Sequence, residues 1–485
     1  MLFNSFDFLV FFPLVTIGYF LLPYKQRWWW LLAASCWFYM AFVPVYILIL
    51  GFTIAVDYAA GILIDRSEGK RRKAWLVASI VANVGVLAFF KYFDFLNQSI
   101  AAVVRGTGLS YDVPDLGILL PIGLSFHTFQ SLSYTIEVYR RHQKPERNPG
   151  VFALYVMFYP QLVAGPIERP GNLLNQLGAA GSARDRMRFE PQYDKIAHGL
   201  RQMAWGFFKK LVIADRCGVI VDHVYGNPVL HDGWTTLFAT YLFALQIYCD
   251  FSGYSDIAIG AARCMGFDLM VNFRTPFMSS SISEFWSRWH ISLTSWFRDY
   301  LYIPLGGNRI AVPRWYLNLF IVFLVSGLWH GAAWKYVLYG AVHGLYIIAA
   351  LMAKPLWDRL ISTVRARWYR WLSVFITFHL VLLTWVVFRA DSVGHMGVIY
   401  SKWLGITEGG RTVADLIAVV KPGMFFITVA AAVLFFCIDP WVDRWVKREV
   451  PAPSRTFDVA FQAALVAVCV LFGHYGSTMF IYFQF

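Results

Sequence analysis

Apolar runs broken by short polar or basic stretches extend along the whole chain. A membrane crossing needs about 20 apolar residues. Candidate crossings occur near 6–22, 28–43, 45–64, 74–96, 117–138, 151–165, 200–222, 235–262, 315–330, 334–353, 371–388, 422–439 and 457–480. The run at 151–165 is short and leads into Pro160, Gly165, Pro166 and Pro170, while 200–222 carries Arg201, Lys209, Lys210, Asp215 and Arg216. Both predict re-entrant or interfacial elements, because irregular backbone at membrane depth survives only where protein or a water-filled cavity covers it. The pattern as a whole predicts an all-α polytopic membrane protein with roughly 9–12 transmembrane helices. No internal repeat or low-complexity tract is visible, so residues 1–485 are expected to form a single domain.

A different period appears at 281–303. Ile282, Phe285, Trp286, Trp289, Leu293, Trp296, Phe297 and Tyr300 recur at steps of three and four, with Glu284, Arg288, Ser292, Ser295, Arg298 and Asp299 between them. This spacing predicts one amphipathic helix. On its wheel His290 falls about 40° from Trp286, at the edge of the aromatic side and pointing inward.

Composition agrees with the hydropathy: 58% of residues are hydrophobic and 15% charged, too few to coat a soluble globule of 485 residues. The formal charge of +13 resides largely in short stretches: Lys25/Arg27, Arg66–Lys73, Arg140–Arg147, Lys354–Arg370 and Arg444–Arg455. Basic residues placed between apolar runs mark the cytoplasmic side and do not suggest nucleic acid. All five can be cytoplasmic if the N-terminus is outside and a turn at Pro44 separates the second and third crossings. The linker 331–333 then faces outward. Six cysteines without a C-x-x-C pair argue against a disulfide framework or a metal site. Met1–Leu22 has neither a basic leader nor a cleavage pattern, and is expected to be a retained first crossing.

No histidine is followed by Glu, and P-loop, nucleophile-elbow and dinucleotide-binding patterns are missing, which excludes zincins, ATPases and hydrolase-fold esterases. Polar residues concentrate instead between Tyr248 and His343. Asp250 and Asp256 lie in an apolar run, as interfacial helix-end carboxylates or as lining of a polar cavity. His290 is either a hydrogen-bonded core residue or a functional one. His330 ends an apolar run among Gly327, Gly331, Ala332 and Ala333, after Trp329, which predicts an approachable imidazole at membrane depth. His343, 13 residues on, is expected to pack or pair within the next helix.

Several stretches carry a resemblance: PIGLSFHTFQSLSY (121–134), FYPQLVAGPI (158–167), FFKKLVIADR (207–216), NFRTPF (272–277), EFWSRWH (284–290), YIPLGGN (302–308) and FIYFQF (480–485), together with His290 and His330 spaced 40 apart. In these the chain resembles the membrane-bound O-acyltransferases, and among them the integral-membrane subunit of bacterial alginate O-acetyltransferase. The resemblance implies many helices around a central tunnel, with a thioester donor entering from the cytoplasm and an acceptor from outside. It implies His330 and His290 as catalytic residues, with Trp286, Trp289, Leu293, Phe297, Trp329, Asp250 and Asp256 lining the donor path. It also implies no bound cofactor or metal; acetyl-CoA or an acyl-carrier thioester as donor; and, besides membrane lipids, a polysaccharide or a periplasmic acetyltransferase as partner. The setting it implies is the bacterial cytoplasmic membrane. The related D-alanyl transferases of teichoic acid share the two-histidine arrangement, and a proton-coupled transporter or flippase is the alternative from another class.

Overall fold

The computed structural model describes residues 1–118, 120–178, 187–364, 368–407, 409–447, 454–475 and 480–481. Arg365, Arg367, Arg448 and the last four residues of the C-terminal motif lie outside them. The described chain is helical throughout, joined by turns and short 3-10 and π segments. It is a multi-pass membrane protein. Six described helices are long and apolar enough to cross a bilayer: Tyr46–Arg66, Gly69–Gly106, Val312–His330, Trp334–Arg359, Trp368–Arg389 and Pro422–Val446. Two further apolar helices, Phe6–Leu21 and Thr456–Phe472, are shorter. The other expected crossings take different forms. The run at 28–43 is the 14-residue helix Arg27–Met40, 151–165 becomes the 9-residue helix Pro149–Met157 followed by buried turns, and 235–262 lies within the 32-residue helix Gly233–Cys264.

The chain forms two compact units, the first comprising 1–200 and 257–270, the second 201–256 and 271–485. In the first, Phe3, Phe8, Phe11, Phe38 and Tyr159 form an aromatic core with ring centroids 4.7–6.4 Å apart. Its helices begin where side chains satisfy the otherwise unpaired amides: Ser5 accepts from Phe8 N–H and Asn148 from Gly150 N–H. The buried Asp57 carboxylate accepts from Ser79 Oγ (2.6 Å) and Asn83 Nδ2 (2.8 Å), tying Tyr46–Arg66 to the helix that begins at Gly69. Two of the resembling motifs meet here, since His127 lies 2.7 Å from the Leu162 carbonyl.

Residues 70–73 are not a loop but the opening turn of Gly69–Leu87, and the turn itself is Ser67–Glu68. Arg72 reaches the carbonyls of Val138 and Tyr139, each at 2.9 Å, at the end of Leu124–Tyr139. Carbonyls of a last helical turn have few intrahelical donors; here the cation adds to the Arg141 N–H that reaches Val138 (3.1 Å) and brings two basic stretches to one end of the unit.

The second unit contains every candidate site residue. Its helices Val312–His330 and Trp334–Val364 form a close hairpin. A Cβ on Gly327 would come within 2.2 Å of the Tyr336 carbonyl, and one on Gly331 within 2.1 Å of the Tyr336 ring. The glycines flanking His330 therefore admit the neighbouring helix.

Candidate active site

The amphipathic stretch is not one helix. It divides into Ile282–Arg288 and Ile291–Phe297, followed by the π segment Arg298–Tyr302. Ser281 caps the first helix and Trp289 leaves it in extended backbone; His290 then sits in the left-handed region at φ 46°, ψ 52°. A non-glycine residue there carries a penalty of roughly 1–2 kcal/mol, so surrounding bonds must hold it. The segment beginning at Asn272 supplies them. Arg274 N–H donates to the Arg288 carbonyl (3.0 Å) and Ile291 N–H to the Asn272 carbonyl (2.9 Å). The Asn272 side chain accepts from Ser292 Oγ (2.6 Å) and donates to Ser255 Oγ (3.2 Å). The wheel drawn through 281–303 thus fails at His290, because bonds from 18 residues earlier outweigh local helical preference.

His290 is fully buried, with its ring edge-on to Phe251 at 4.7 Å and 5.9 Å from Trp329. His330, the last residue of its helix, lies 5.0 Å from the Trp329 ring, 5.4 Å from Phe388 and 5.9 Å from Tyr339. Both imidazoles therefore pack against the Trp329 ring. The approachable imidazole expected at His330 is instead 5% exposed, since aromatic residues from two other helices cover it. His290 lies outside the six long apolar helices. Burial, with a smaller contribution from His330, holds its pKa well below the ordinary histidine value, so its ring is neutral and offers one acceptor nitrogen. Phe480 adjoins this cluster, 4.8 Å from Tyr254 and 5.7 Å from Phe251.

The aromatic residues expected along the donor path are all buried, and Trp286 and Trp289 share Phe285, whose ring lies 5.6 Å from each. Trp289 packs 5.0 Å from Phe273 and 5.1 Å from Trp385, and Phe297 lies beside Trp296 at 5.6 Å. Leu293 is buried one turn before Phe297 on the same helix. Trp286 donates its indole N–H to His343 Nδ1 at 3.3 Å. Thr384 Oγ1 gives its own hydrogen to the Val381 carbonyl (2.7 Å), so it accepts from His343 Nε2–H at 3.0 Å. These bonds fix a neutral tautomer and make His343 a strut between three helices. His343→Ala is expected to cost about 1–3 kcal/mol, as the indole N–H and the Thr384 hydroxyl lose a buried partner. A lower melting temperature with most acyl-transfer activity per folded molecule retained checks this.

Asp250 and Asp256 do not join the histidine cluster through any side-chain bond described. They meet successive lysines of the π segment Phe208–Ala214. Lys210 lies 2.7 Å from Asp250 and 2.8 Å from Asp215, while Lys209 lies 3.0 Å from Asp256, 3.4 Å from Asp443 and 3.8 Å from Asp439. Gln202 adds a bond to Asp256 (2.9 Å), and the Ile481 N–H one to Asp250 (2.7 Å). Sequence reading took Lys209 and Lys210 only as signs of an interfacial element, Lys447 only as part of a basic stretch and Asn272 only as part of a resembling motif, and it did not single out Asp439 or Asp443. The available signal was opposite charge in separate apolar runs, which must find a partner at membrane depth. Among the described residues, no group of three or more His, Cys, Asp or Glu side chains is placed to hold a metal ion.

Comparison with known proteins gives the family. Residues 110–389 match the sequence profile of the membrane-bound O-acyltransferase family. The chain is 37% identical over 423 residues to a protein of Azotobacter vinelandii named probable alginate O-acetylase, covering 86% of this chain and 80% of that one. It is 39% identical over 399 residues to the protein of the same name from Pseudomonas aeruginosa, covering 81% and 73%. A peptidoglycan O-acetyltransferase of Helicobacter pylori is 32% identical over 428 residues, covering 81% and 78%. The chain belongs to the membrane-bound O-acyltransferase family and is an O-acyltransferase.

Proposed function

We propose that the protein transfers an acetyl group from a cytoplasmic thioester, acetyl-CoA or an acyl-carrier thioester, across the bacterial cytoplasmic membrane. The acceptor is a hydroxyl of an extracytoplasmic polysaccharide or of a periplasmic partner acetyltransferase. The observation that carries this reading is the meeting of His290 and His330, 40 residues apart in sequence, against Trp329 in one buried aromatic cluster. Transfer to a hydroxyl needs a base within reach of its proton and a donor facing the developing oxyanion. In this mechanism the neutral His330 takes the acceptor proton as the oxygen attacks the thioester carbonyl; the carbon–sulfur bond then breaks and the departing thiolate takes that proton, leaving the ester, the free thiol and neutral His330. His290, or the backbone beside it, polarises that carbonyl. The constrained left-handed turn at His290 favours such a role, because strained backbone fixed by its neighbours is preorganised. The similarity to proteins named alginate O-acetylase supports a polysaccharide acceptor of that kind.

The test is transfer of labelled acetyl from acetyl-CoA to polysaccharide by purified protein in liposomes. Failure of every thioester donor to yield acetylated acceptor or acetylated partner sinks the proposal.

Sidedness has its own check. The basic stretches at 66–73 and 140–147 meet through Arg72 and the end of Leu124–Tyr139, which supports placing both in the cytoplasm. Ser67→Cys should gain no labelling by an impermeant maleimide added from the periplasmic side, compared with the parent chain. Ready labelling reverses the orientation.

A further inference from the structure

A buried segment that belongs to no helix must find partners for its polar groups one by one. The segment 272–274 gives some of them to the turn at His290: the Arg274 N–H, the Asn272 carbonyl and Asn272 Oδ1 bond Arg288, Ile291 and Ser292. Two further bonds lead elsewhere. The Phe273 carbonyl accepts from Lys447 Nζ at 2.6 Å, and Asn272 Nδ2 donates to Ser255 Oγ at 3.2 Å. Among the described residues, Lys447 is the only donor to the Phe273 carbonyl.

Both anchors belong to the buried ion network. Lys447 follows the last turn of Pro422–Val446, and its ammonium also bonds Asp443 Oδ2 at 2.7 Å, the carboxylate that faces Lys209. Ser255 adjoins Asp256 on the helix Gly233–Cys264, where Lys209 and Gln202 hold the carboxylate. A cation kept only for a helix terminus satisfies its own last carbonyls. Lys447 instead reaches a carbonyl 174 residues away, with its side chain nearly buried.

Packing transmits the restraint. The Phe273 ring lies 5.0 Å from Trp289 and 4.9 Å from Phe251, and Phe251 lies 4.7 Å from His290. In a close-packed interior, a displaced Phe273 shifts the rings that touch it.

We infer that Lys447 and Ser255 are positioning residues for acyl transfer: they moor 272–274 to the ion network and through it set the imidazole of His290. The inference rests on the role proposed above for His290. Without the anchors, the bonds to Arg288, Ile291 and Ser292 come from a segment that can move, and the left-handed turn is no longer held against its own strain. A donor to an oxyanion acts only at hydrogen-bond distance, so a small displacement is costly in rate.

The test is a double-mutant cycle on full-length protein in liposomes, read as kcat/KM for labelled acetyl-CoA per folded molecule. Lys447→Met should lower kcat/KM about ten- to a hundredfold, Ser255→Ala about three- to tenfold, and Lys447→Arg, which keeps the donor, less than about threefold. In a His290→Ala background, Lys447→Met and Ser255→Ala should each change kcat/KM by less than about twofold, because the group they position is gone. A merely structural role lowers the melting temperature and folded yield without this dependence on His290. Asp443 keeps Lys209 at 3.4 Å when Lys447 is lost, and the uncharged Ser255→Ala decides the matter if Lys447→Met does not fold. Parent kcat/KM in folded Lys447→Met or Ser255→Ala overturns the inference. So do equal losses in both backgrounds, which leave the role of His290 standing. A His290→Ala protein at the parent rate removes that role and this inference with it.

Discussion

His330→Ala is expected to abolish acyl transfer while the protein still folds and inserts. The proposed role of His330 is to remove the acceptor hydroxyl proton as the carbon–oxygen bond forms, and loss of a positioned base lowers rate by on the order of 10² to 10⁴. The fold should tolerate the change better than a loss at His343. His330 ends its helix and packs against the rings of Trp329, Tyr339 and Phe388, whereas His343 joins three helices through two side-chain hydrogen bonds. Truncation opens a cavity that those rings can partly fill, and His330→Gln retains most of the volume if Ala proves too open. His290→Ala should lower activity less if His290 polarises or positions the donor, with partial recovery at higher donor concentration. Labelled-acetyl transfer, with size-exclusion profile and melting temperature measured on the same samples, separates chemistry from folding. A folded His330→Ala protein acetylating near the parent rate removes this mechanism.

Lys209→Met is expected to leave little folded protein. Its ammonium is fully buried and faces Asp256, Asp439 and Asp443, so removal strands three carboxylates with Lys447 as the remaining cation of the cluster. Breaking a buried pair by deleting one partner costs about 3–5 kcal/mol, and whole domains are stable by only about 5–15 kcal/mol. Lys210→Met should act likewise through Asp215 and Asp250, with a smaller effect because two carboxylates are stranded instead of three. Adding Asp256→Asn to Lys209→Met should recover part of the folded yield, since one unbalanced charge is gone. Folded yield and thermal unfolding in detergent read the outcome. A Lys209→Met protein with the parent melting temperature would mean that the network contributes nothing, and that Asp250 and Asp256 must be explained by another role.

By itself the sequence determined the helical membrane character, the family and the two histidines worth testing. Hydropathy is local: an apolar run in lipid must satisfy its own backbone, so a helix is dictated without reference to any other segment. The break after His330 was legible for the same reason, as small residues follow the last apolar turn. Tertiary structure alone decided the rest. Periodicity assigned 281–303 to one helix, but the Asn272 segment, distant in sequence, divides it and turns His290 into its left-handed position. Composition around His330 indicated openness, yet Phe388 and Tyr339 from other helices bury it. Asp250 and Asp256 could be seen as costly charges in an apolar run. That Lys210 and Lys209 answer them depends on two helices meeting in register, and a pairing between distant segments leaves no trace in the spacing of either.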